Sequence, residues 1–457
     1  MNDNALLYPP HPRPLPALPA LARVLWHGDG NLLELLPAAA YRFDFGDLGY
    51  SRRSTVLFNR PDLVRDILRD DGSRFPKSDL MVNALEPLIG QSIFVTDGER
   101  WQRQRAMIDP AFSQLRVSHA FAAMQSAVEA HLEFLQQQAS TKESFSLDMA
   151  MSHLTADVIC RTIFSTPLSA GVSNDVFEDF TEFEQSVAQV DIFRLIFQKA
   201  WADMPQPPGV SAACQRIRAH LGDLLDPHLE QPERYNDIAS DVIAAKDRDS
   251  GAPFTREELI DQLGVFFLAG HETSASALTW VFYLLAVQPA LVQRLRTEIR
   301  EVVGSDPVHF SHVKKLPLVR AVFRETLRLY PPITFIPRVA LEDCAVGERK
   351  LKRGALVMIS PWTLHRHQRY WDRPAAFLPE RFLAVGESAI EEGTYIPFGV
   401  GPHTCIGAGF AQAEAVLIMA EVVRRFDFSR ADDSPVRPAA RLTTRPAQQI
   451  RLHCQPA

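Results

Sequence analysis

The chain has few cysteines and no surplus of positive charge. Its 457 residues include five cysteines, Cys160, Cys214, Cys344, Cys405 and Cys454, without the short spacings that frame disulfides or zinc sites. This usage fits a reducing cytoplasm. Lysine and arginine total 48 against 55 acidic residues, and the resulting net charge of −7 argues against nucleic-acid binding as the main role of the surface.

The chain also lacks a recognisable leader, linker or internal repeat. Residues 1–20 are proline-rich and polar, unlike the basic and apolar blocks of a signal peptide. We therefore predict an N-terminal segment over residues 1–20 and one large domain over residues 21–457, located in the cytoplasm. The apolar run Leu263–Val287 is long enough to span a bilayer, but His271 and Glu272 interrupt it. We expect a core helix there and no membrane span.

Helical spacing of apolar residues dominates from about residue 61 onward. Short strands are expected within residues 41–60 and 333–360, which carry alternating apolar residues and turn-forming glycines. Thr255 and Glu258 form a capping box that opens the longest helix, which should end near Gln288.

Asp97 can cap a helix that ends before Pro110, and another helix is expected over residues 175–200. The segment from Trp371 to Tyr395 is aperiodic and is expected to be packed coil. The pattern predicts a mainly α fold with a minor β portion in a single domain.

The stretch Phe398-Gly399-Val400-Gly401-Pro402-His403-Thr404-Cys405-Ile406-Gly407 places one cysteine in a glycine-punctuated loop ahead of an apolar helix. Glycines allow a flat ring to approach the main chain closely, and amides at a helix start can hydrogen-bond a sulfur atom. Cys405 is therefore predicted to be an axial iron ligand. The alternative is a buried structural cysteine in a turn.

The longest helix carries Ala269-Gly270-His271-Glu272-Thr273, an acid and a hydroxyl side by side within an apolar run. A threonine hydroxyl backed by a carboxylate could relay the protons that dioxygen cleavage requires. In the alternative interpretation, Thr273 bonds a carbonyl of its own helix and Glu272 pairs with a basic neighbour.

The loop around Cys405 resembles the cysteine-ligand loop of the cytochrome P-450 heme-thiolate family, and further landmarks follow in family order from Trp101 to the last helix. The resemblance implies the mainly α fold of that family, with heme b (iron protoporphyrin IX) between the long helix and the cysteine loop. Cys405 would bind the iron, while Phe398, Gly399, Gly407 and Ala269 would border the heme. Its propionates would be bound by Trp101, Arg105, Arg338 and His403, although each alone could be a surface cation or a core tryptophan.

The resemblance also assigns roles away from the heme. Thr273 and Glu272 would form the catalytic relay. Glu325 and Arg328, in Glu325-Thr326-Leu327-Arg328, would join Arg381 in a buried structural ion network, although a Glu-x-x-Arg match alone indicates only a helical salt bridge.

The implied reaction is insertion of one oxygen atom of O2 into a C–H bond of a hydrophobic small molecule, as in soluble bacterial family members. Electrons would come from a ferredoxin or flavodoxin with an NAD(P)H-dependent reductase, because the chain carries neither a flavin nor an iron-sulfur cysteine set. A basic patch could dock the donor, or could be a solvated rim: Lys314, Lys315, Arg324, Arg424 and Arg425. The candidate pocket residues are largely apolar: residues 81–94, 183–197, 333–336 and 442–444 with Phe266, Phe267 and Ala269. Arg52 and Arg53 could meet a substrate carboxylate, or could face water.

Two rival functions remain open. A peroxygenase or a heme-thiolate isomerase would bypass the dioxygen relay, and the Glu272–Thr273 pair argues against both. A non-catalytic heme sensor or carrier would bind a diatomic gas without forming product. The triplet His365-Arg366-His367 lacks a third spaced ligand and is not expected to bind metal.

Overall fold

Helices form most of the chain in the computed structural model, which describes residues 6–27, 31–49, 53–169, 171–187 and 209–457. The mainly α fold with a minor β portion agrees with the sequence prediction. In chain order the α-helices are α1 (Ala17–His27), α2 (Leu32–Leu35), α3 (Pro61–Leu68), α4 (Asp79–Ile89), α5 (Gly98–Ile108), α6 (Gln114–Thr141), α7 (Leu147–Ile163), α8 (Val172–Val187), α9 (Val210–Glu230), α10 (Ile238–Ala244), α11 (Arg256–Ala286), α12 (Pro289–Val303), α13 (Pro317–Leu329), α14 (Pro361–Leu364), α15 (Ala384–Glu387) and α16 (Ala408–Val423).

Within the described residues the strands form four small sheets. They are β1 (Phe45–Asp47), β2 (Thr55–Phe58), β3 (Phe145–Ser146), β4 (Ile336–Val339), β5 (Cys344–Val346), β6 (Arg349–Leu351), β7 (Leu356–Ile359), β8 (Phe426–Arg430), β9 (Pro438–Ala440), β10 (Thr444–Pro446) and β11 (Arg451–Pro456). One sheet has the order β1-β2-β7-β4, in which only β2 and β7 run parallel. A second has the order β3-β11-β8, and β5–β6 and β9–β10 form two-stranded pairs.

Helix α11 runs through the core and positions the site. Its start is fixed by the capping box, in which the Thr255 side chain accepts from the Glu258 amide and the Glu258 side chain accepts from the Thr255 amide. Trp280 stacks on Tyr330 with ring centroids 3.9 Å apart, which ties α11 to the end of α13. The helix ends at Ala286, two residues earlier than predicted, and α12 begins at Pro289.

Some local expectations are modified. Asp97 occupies the N-cap of α5, but its carboxylate accepts from the Lys77 amide at 2.9 Å and makes no cap hydrogen bond. The aperiodic segment from Trp371 to Tyr395 contains a 3-10 turn, Pro379–Phe382, and the short α15. The helix expected over residues 175–200 is described as far as Val187, and its remainder lies outside the described residues.

The proline-rich N-terminal residues contact the domain. Leu7 forms a β-bridge with Phe377, and the Tyr330 hydroxyl donates to the Pro10 carbonyl at 2.7 Å. The boundary at residue 20 stays a prediction. Within the described ranges no single helix has the length and hydropathy to cross a membrane; α11 and α12 reach that threshold only as a pair, bent by 109° at the break between them.

Candidate heme-thiolate site

The loop before α16 is held by backbone contacts that require glycine. The Cys405 amide donates to the Phe398 carbonyl at 2.9 Å, which closes the loop. Gly399 and Gly401 have φ values of +74° and +82°. A Cβ at Gly401 would lie 2.4 Å from the carbonyl oxygen of Leu68, so the loop is pressed against the end of α3.

The Cys405 thiol is accessible but is not on the outer surface. Its side chain retains solvent-accessible area, whereas Cys160, Cys214 and Cys454 are buried. Burial nevertheless raises the pKa of the thiol, while a backbone hydrogen bond at Gly407 and the charge of Arg105 lower it. Accessible area together with desolvation indicates that the thiol faces an enclosed space inside the protein.

Helix α11 is incompletely buried on one side. From Leu259 to Leu285 all its residues are buried except Ala269, Gly270, Thr273 and Ser274, which are half-buried. These four residues form two pairs spaced four apart and lie on one side of the helix. Ser274 donates to Glu414 of α16 at 2.6 Å, which places this face next to the helix that follows Cys405.

The four residues expected at the propionates come from α5, β4 and the cysteine loop, and they form one cluster with an additional lysine. The Trp101 and His403 rings lie 4.0 Å apart between centroids, and Arg105 donates to the Thr404 carbonyl at 2.7 Å. Lys77 forms a β-bridge with Arg338 of β4. Sequence reasoning missed Lys77 because its only signal is this long-range pairing.

The cluster carries more positive charge than its protein partners neutralise. Burial and the charges of neighbouring cations lower the pKa of His403 to about 3, and burial lowers the pKa of Lys77 to about 7. Asp97 offers one carboxylate, 3.9 Å from Lys77 and 3.8 Å from His403. His403 Nδ1 is buried without a hydrogen-bond partner. Buried cations and an orphaned ring nitrogen beside an accessible thiol fit a ligand with an anionic edge, such as a heme with two propionates.

Thr273 and Glu272, the predicted relay residues, make the contacts expected in the alternative interpretation, a bond to the residue's own helix and a pair with a basic neighbour. Thr273 donates to the Ala269 carbonyl at 2.6 Å. Glu272 is bound by Arg445, which donates to both carboxylate oxygens, and by the Thr443 hydroxyl at 2.6 Å. Burial alone would raise the pKa of Glu272, but the charge and hydrogen bonds of Arg445 outweigh it and lower the pKa to about 2. The relay stays a prediction, and Arg445, 173 residues away, was not foreseen.

The structure brings Glu325, Arg328 and Arg381 together. Arg328 donates twice to Glu325, at 2.7 Å each, and Arg381 Nε lies 3.4 Å from Glu325 Oε1. Arg328 also donates to the Pro374 and Ala376 carbonyls, and the Leu378 amide donates to Glu325. The network thus anchors the coil that leads to Cys405.

The basic triplet is structural. His365 Nε2 accepts from the Ile396 amide at 2.8 Å, and the Arg366 guanidinium lies 3.6 Å from the Trp362 ring centroid. Burial lowers the pKa of His365 to about 3, which keeps it neutral. A search of the described residues finds no group of three or more His, Cys, Asp or Glu side chains that could hold a metal ion.

The pocket candidates differ in how deeply their side chains are buried. Phe266 and Phe267 are buried, and Phe267 stacks on Phe180 with centroids 4.6 Å apart. Other candidates are half-buried against the core, as expected of a cavity wall: Met81, Val82, Ala84, Phe94, Phe335 and Leu442. Most of the range 183–197 and Arg52 lie outside the described residues. Arg53 binds Asp79 at 2.7 Å and is buried.

A mainly helical fold with an enclosed cysteine thiolate site, a cationic cluster and a long core helix defines a heme-thiolate protein. The family model described as Cytochrome P450 matches residues 12–452. The chain therefore belongs to the cytochrome P450 family, whose members carry a heme-thiolate cofactor, and it is an oxidoreductase of the monooxygenase type.

Individual relatives agree with this assignment. The chain is 30% identical to Protein LUTEIN DEFICIENT 5, chloroplastic, of Arabidopsis thaliana, over 88% of this chain and 69% of the relative. It is 29% identical to cyclooctat-9-en-7-ol 5-monooxygenase of Streptomyces melanosporofaciens, over 88% of this chain and 85% of the relative. The crystal structure of the cytochrome P450DA heme domain superimposes with a TM-score of 0.81 at 20% identity, covering 99% of this chain and 98% of that one, which supports the fold.

Proposed function

We propose that this protein is a heme b-dependent monooxygenase that inserts one atom of O2 into a C–H bond of a hydrophobic small molecule, with electrons from a separate redox partner. The observation that supports it most is the Cys405 thiol, which is accessible within an enclosed space beside a cationic cluster. Heme, when bound, supplies dioxygen activation at its iron, assisted by electron donation from the thiolate.

The residues around that space have complementary tasks. Cys405 would bind the iron as thiolate, stabilised by the Gly407 hydrogen bond and by Arg105. Phe398, Gly399, Gly407 and Ala269 would border the ring. The anionic edge would be bound by Trp101, Arg105, Arg338, His403 and, in addition to the sequence prediction, Lys77. An anion there would stabilise the protonated forms of Lys77 and His403.

Proton delivery would depend on side chains that leave their present contacts. Thr273 lies on the half-buried face of α11, but its hydroxyl proton is donated to the Ala269 carbonyl at 2.6 Å. The Thr273 hydroxyl must turn away from that carbonyl before it can donate its proton to another group. Glu272 must exchange its bonds with Arg445 for a proton before it can resupply the Thr273 hydroxyl.

The described pocket favours a neutral apolar substrate. Phe94, Phe335 and Leu442 present hydrocarbon surface, and Arg53, the arginine considered for a substrate carboxylate, is already paired with Asp79. One relative is named for oxygenation of cyclooctat-9-en-7-ol, an unsaturated cyclic alcohol. We infer a neutral, largely hydrocarbon ring compound as the substrate class.

The electron donor would be a ferredoxin or flavodoxin served by an NAD(P)H-dependent reductase. Lys314 and Lys315 are exposed and could contribute to a docking surface for an acidic protein. Arg424 is less available, because it lies 2.8 Å from Glu421 in an ion pair.

A peroxygenase is the second candidate, favoured by one observation: both relay residues are engaged in structural contacts. Turnover with peroxide, compared with turnover with reductase, donor and O2, separates the two. Product formation that requires peroxide would favour the second candidate.

The ligand assignment is tested by optical spectroscopy. Reduced protein with CO should show the strongly red-shifted Soret band of thiolate ligation, and Cys405→Ala should abolish it. Cys160→Ala, at a buried cysteine of α7, is the matched control and should leave the band in place. A Soret band of the histidine-ligated type in the parent protein would refute the assignment.

A further inference from the structure

One guanidinium joins two carboxylates beside the predicted relay. Arg445 of β10 binds Glu272 of α11 through both carboxylate oxygens. It also donates to Asp148 Oδ1, in the first turn of α7, at 2.6 Å and to the Ser152 hydroxyl at 3.3 Å. Glu272 is buried with 4% exposure, whereas the Asp148 side chain is 32% exposed. The arrangement therefore connects a buried acid to one that water can reach.

The Asp148 carboxylate lowers the free-energy cost of releasing Glu272 from Arg445. A buried guanidinium without a counter-charge is strongly unfavourable. Because Asp148 stays bound to Arg445, Glu272 can take up a proton and turn away while Arg445 remains paired. Without Asp148, release of Glu272 would leave Arg445 without that carboxylate, and Glu272 would be held more firmly.

The charge around Arg445 is set by Glu272 and Asp148 rather than by the neighbouring histidines. His271, on α11 next to Glu272, is buried, which lowers its pKa to about 4 and keeps it neutral. His153 on α7 acts on His271 but is itself partly buried, which lowers its pKa. Thr443 contributes a neutral hydroxyl bond to Glu272.

We propose that Arg445 and Asp148 are positioning residues that control the release of Glu272 toward Thr273, in a step that rests on the proposed monooxygenase function. On release, Glu272 takes up one proton from solvent. Glu272 gives this proton to the Thr273 hydroxyl, which passes its own proton onward, and Glu272 returns to Arg445 as a carboxylate.

Thr443 and Arg445 hold Glu272, and the neighbouring Leu442 is a half-buried pocket candidate. The Thr444 carbonyl accepts from Ser276 and Trp280 of α11, at 2.8 and 2.7 Å. This segment therefore contacts both the acid and α11, next to a candidate pocket residue.

The main test is Asp148→Asn, a change at a partly exposed side chain. It should reduce product formed per NADH consumed and should move the pH dependence of that ratio to lower pH by about one unit, because Arg445 then holds Glu272 more strongly. The control is Asp62→Asn, the same change in the first turn of α3, where the partner is Arg60 at 2.9 Å. The control should behave as the parent does.

A second measurement does not depend on turnover. In Arg445→Gln, Glu272 is buried without its counter-charge and should be protonated near neutral pH. Glu414 is already a buried protonated acid in the parent. Infrared difference spectra of the variant against the parent should therefore show a second carboxylic acid band, which Glu272→Gln removes in the same background.

The outcomes distinguish failure of the proposed monooxygenase function from failure of the positioning role of Arg445 and Asp148. Absence of a thiolate-type CO spectrum in the parent would overturn the proposed function. With that spectrum and product formation intact, an Asp148→Asn ratio equal to the parent's at every pH would overturn the positioning role. A missing second acid band in a folded Arg445→Gln variant would overturn it independently.

Discussion

The Glu325 carboxylate should contribute more to stability than any exposed acid of the chain, because three groups converge on it while water is excluded. Its side chain and that of Arg328 have no exposed surface. It accepts two bonds from Arg328, one from the Leu378 amide at 2.8 Å, and an ion pair from Arg381. Glu325→Ala would leave Arg328 as an uncompensated buried charge.

The expected loss can be worked out from these contacts. Removal of one partner of a buried pair costs about 3–5 kcal/mol, and an unsatisfied buried amide at Leu378 adds about 1–3 kcal/mol. Domain stabilities are about 5–15 kcal/mol, so Glu325→Ala should lose heme and unfold at a much lower denaturant concentration. Glu325→Gln, which keeps an acceptor for Leu378, should fall between this variant and the parent.

The control is Glu387→Ala at an exposed pair. Glu387 lies 2.6 Å from Arg324, with side-chain exposures of 50% and 23%, and such a pair contributes about 0.2–1 kcal/mol. Arg381→Ala should lie in between, because its contact is longer, at 3.4 Å, and 13% of its side chain is exposed. Denaturant unfolding monitored by circular dichroism gives the stability loss of each variant, and the Soret band shows how much heme each variant retains. Equal losses for Glu325→Ala and Glu387→Ala would refute the assignment of a buried, fully paired network.

Three further changes test single features of the site. Thr273→Ala should keep heme but divert electrons to peroxide, and an unchanged product yield per NADH would contradict the relay. Burial raises the pKa of Glu414 to about 8, so its contribution to stability is complete below the ordinary value of 4.5, falls by about 1.4 kcal/mol per pH unit between 4.5 and 8, and is lost above 8. Glu414→Gln should flatten this dependence, and parallel stability curves would refute it. Gly401→Ala should lower the free energy of unfolding by about 1–3 kcal/mol, measured by thermal unfolding, and weaken heme binding, because its φ is +82° and its Cβ would meet Leu68. The control is Gly409→Ala, whose Cβ would have nothing within 4 Å and which should do neither. Equal effects of the two changes would show that the loop tolerates a side chain.

Local features were the predictable part of this molecule. Thr255 and Glu258 are three residues apart, so their capping box follows from chain geometry alone, and the structure contains it. The glycines before Cys405 likewise specify a tight loop whatever surrounds it, and Gly399 and Gly401 have positive φ. The resemblance to the family rested on short motifs of this kind, each complete within a few consecutive residues.

The electrostatic states of the site were not predictable, because they depend on partners far apart in the chain. From the sequence, Glu272 is an acid beside Thr273; in the structure Arg445, brought near by the pairing of β9 with β10, makes it a bound carboxylate with a pKa of about 2. Burial raises the pKa of Glu414, an acid in an apolar helix, to about 8 and keeps it protonated at neutral pH, although the hydrogen bond from Ser274 acts in the opposite direction. The sequence motif thus identified an acid on the right helix, but the tertiary contacts determine which acid carries a proton. A mechanism for this enzyme must therefore begin from Arg445 and Asp148 as much as from the motif itself.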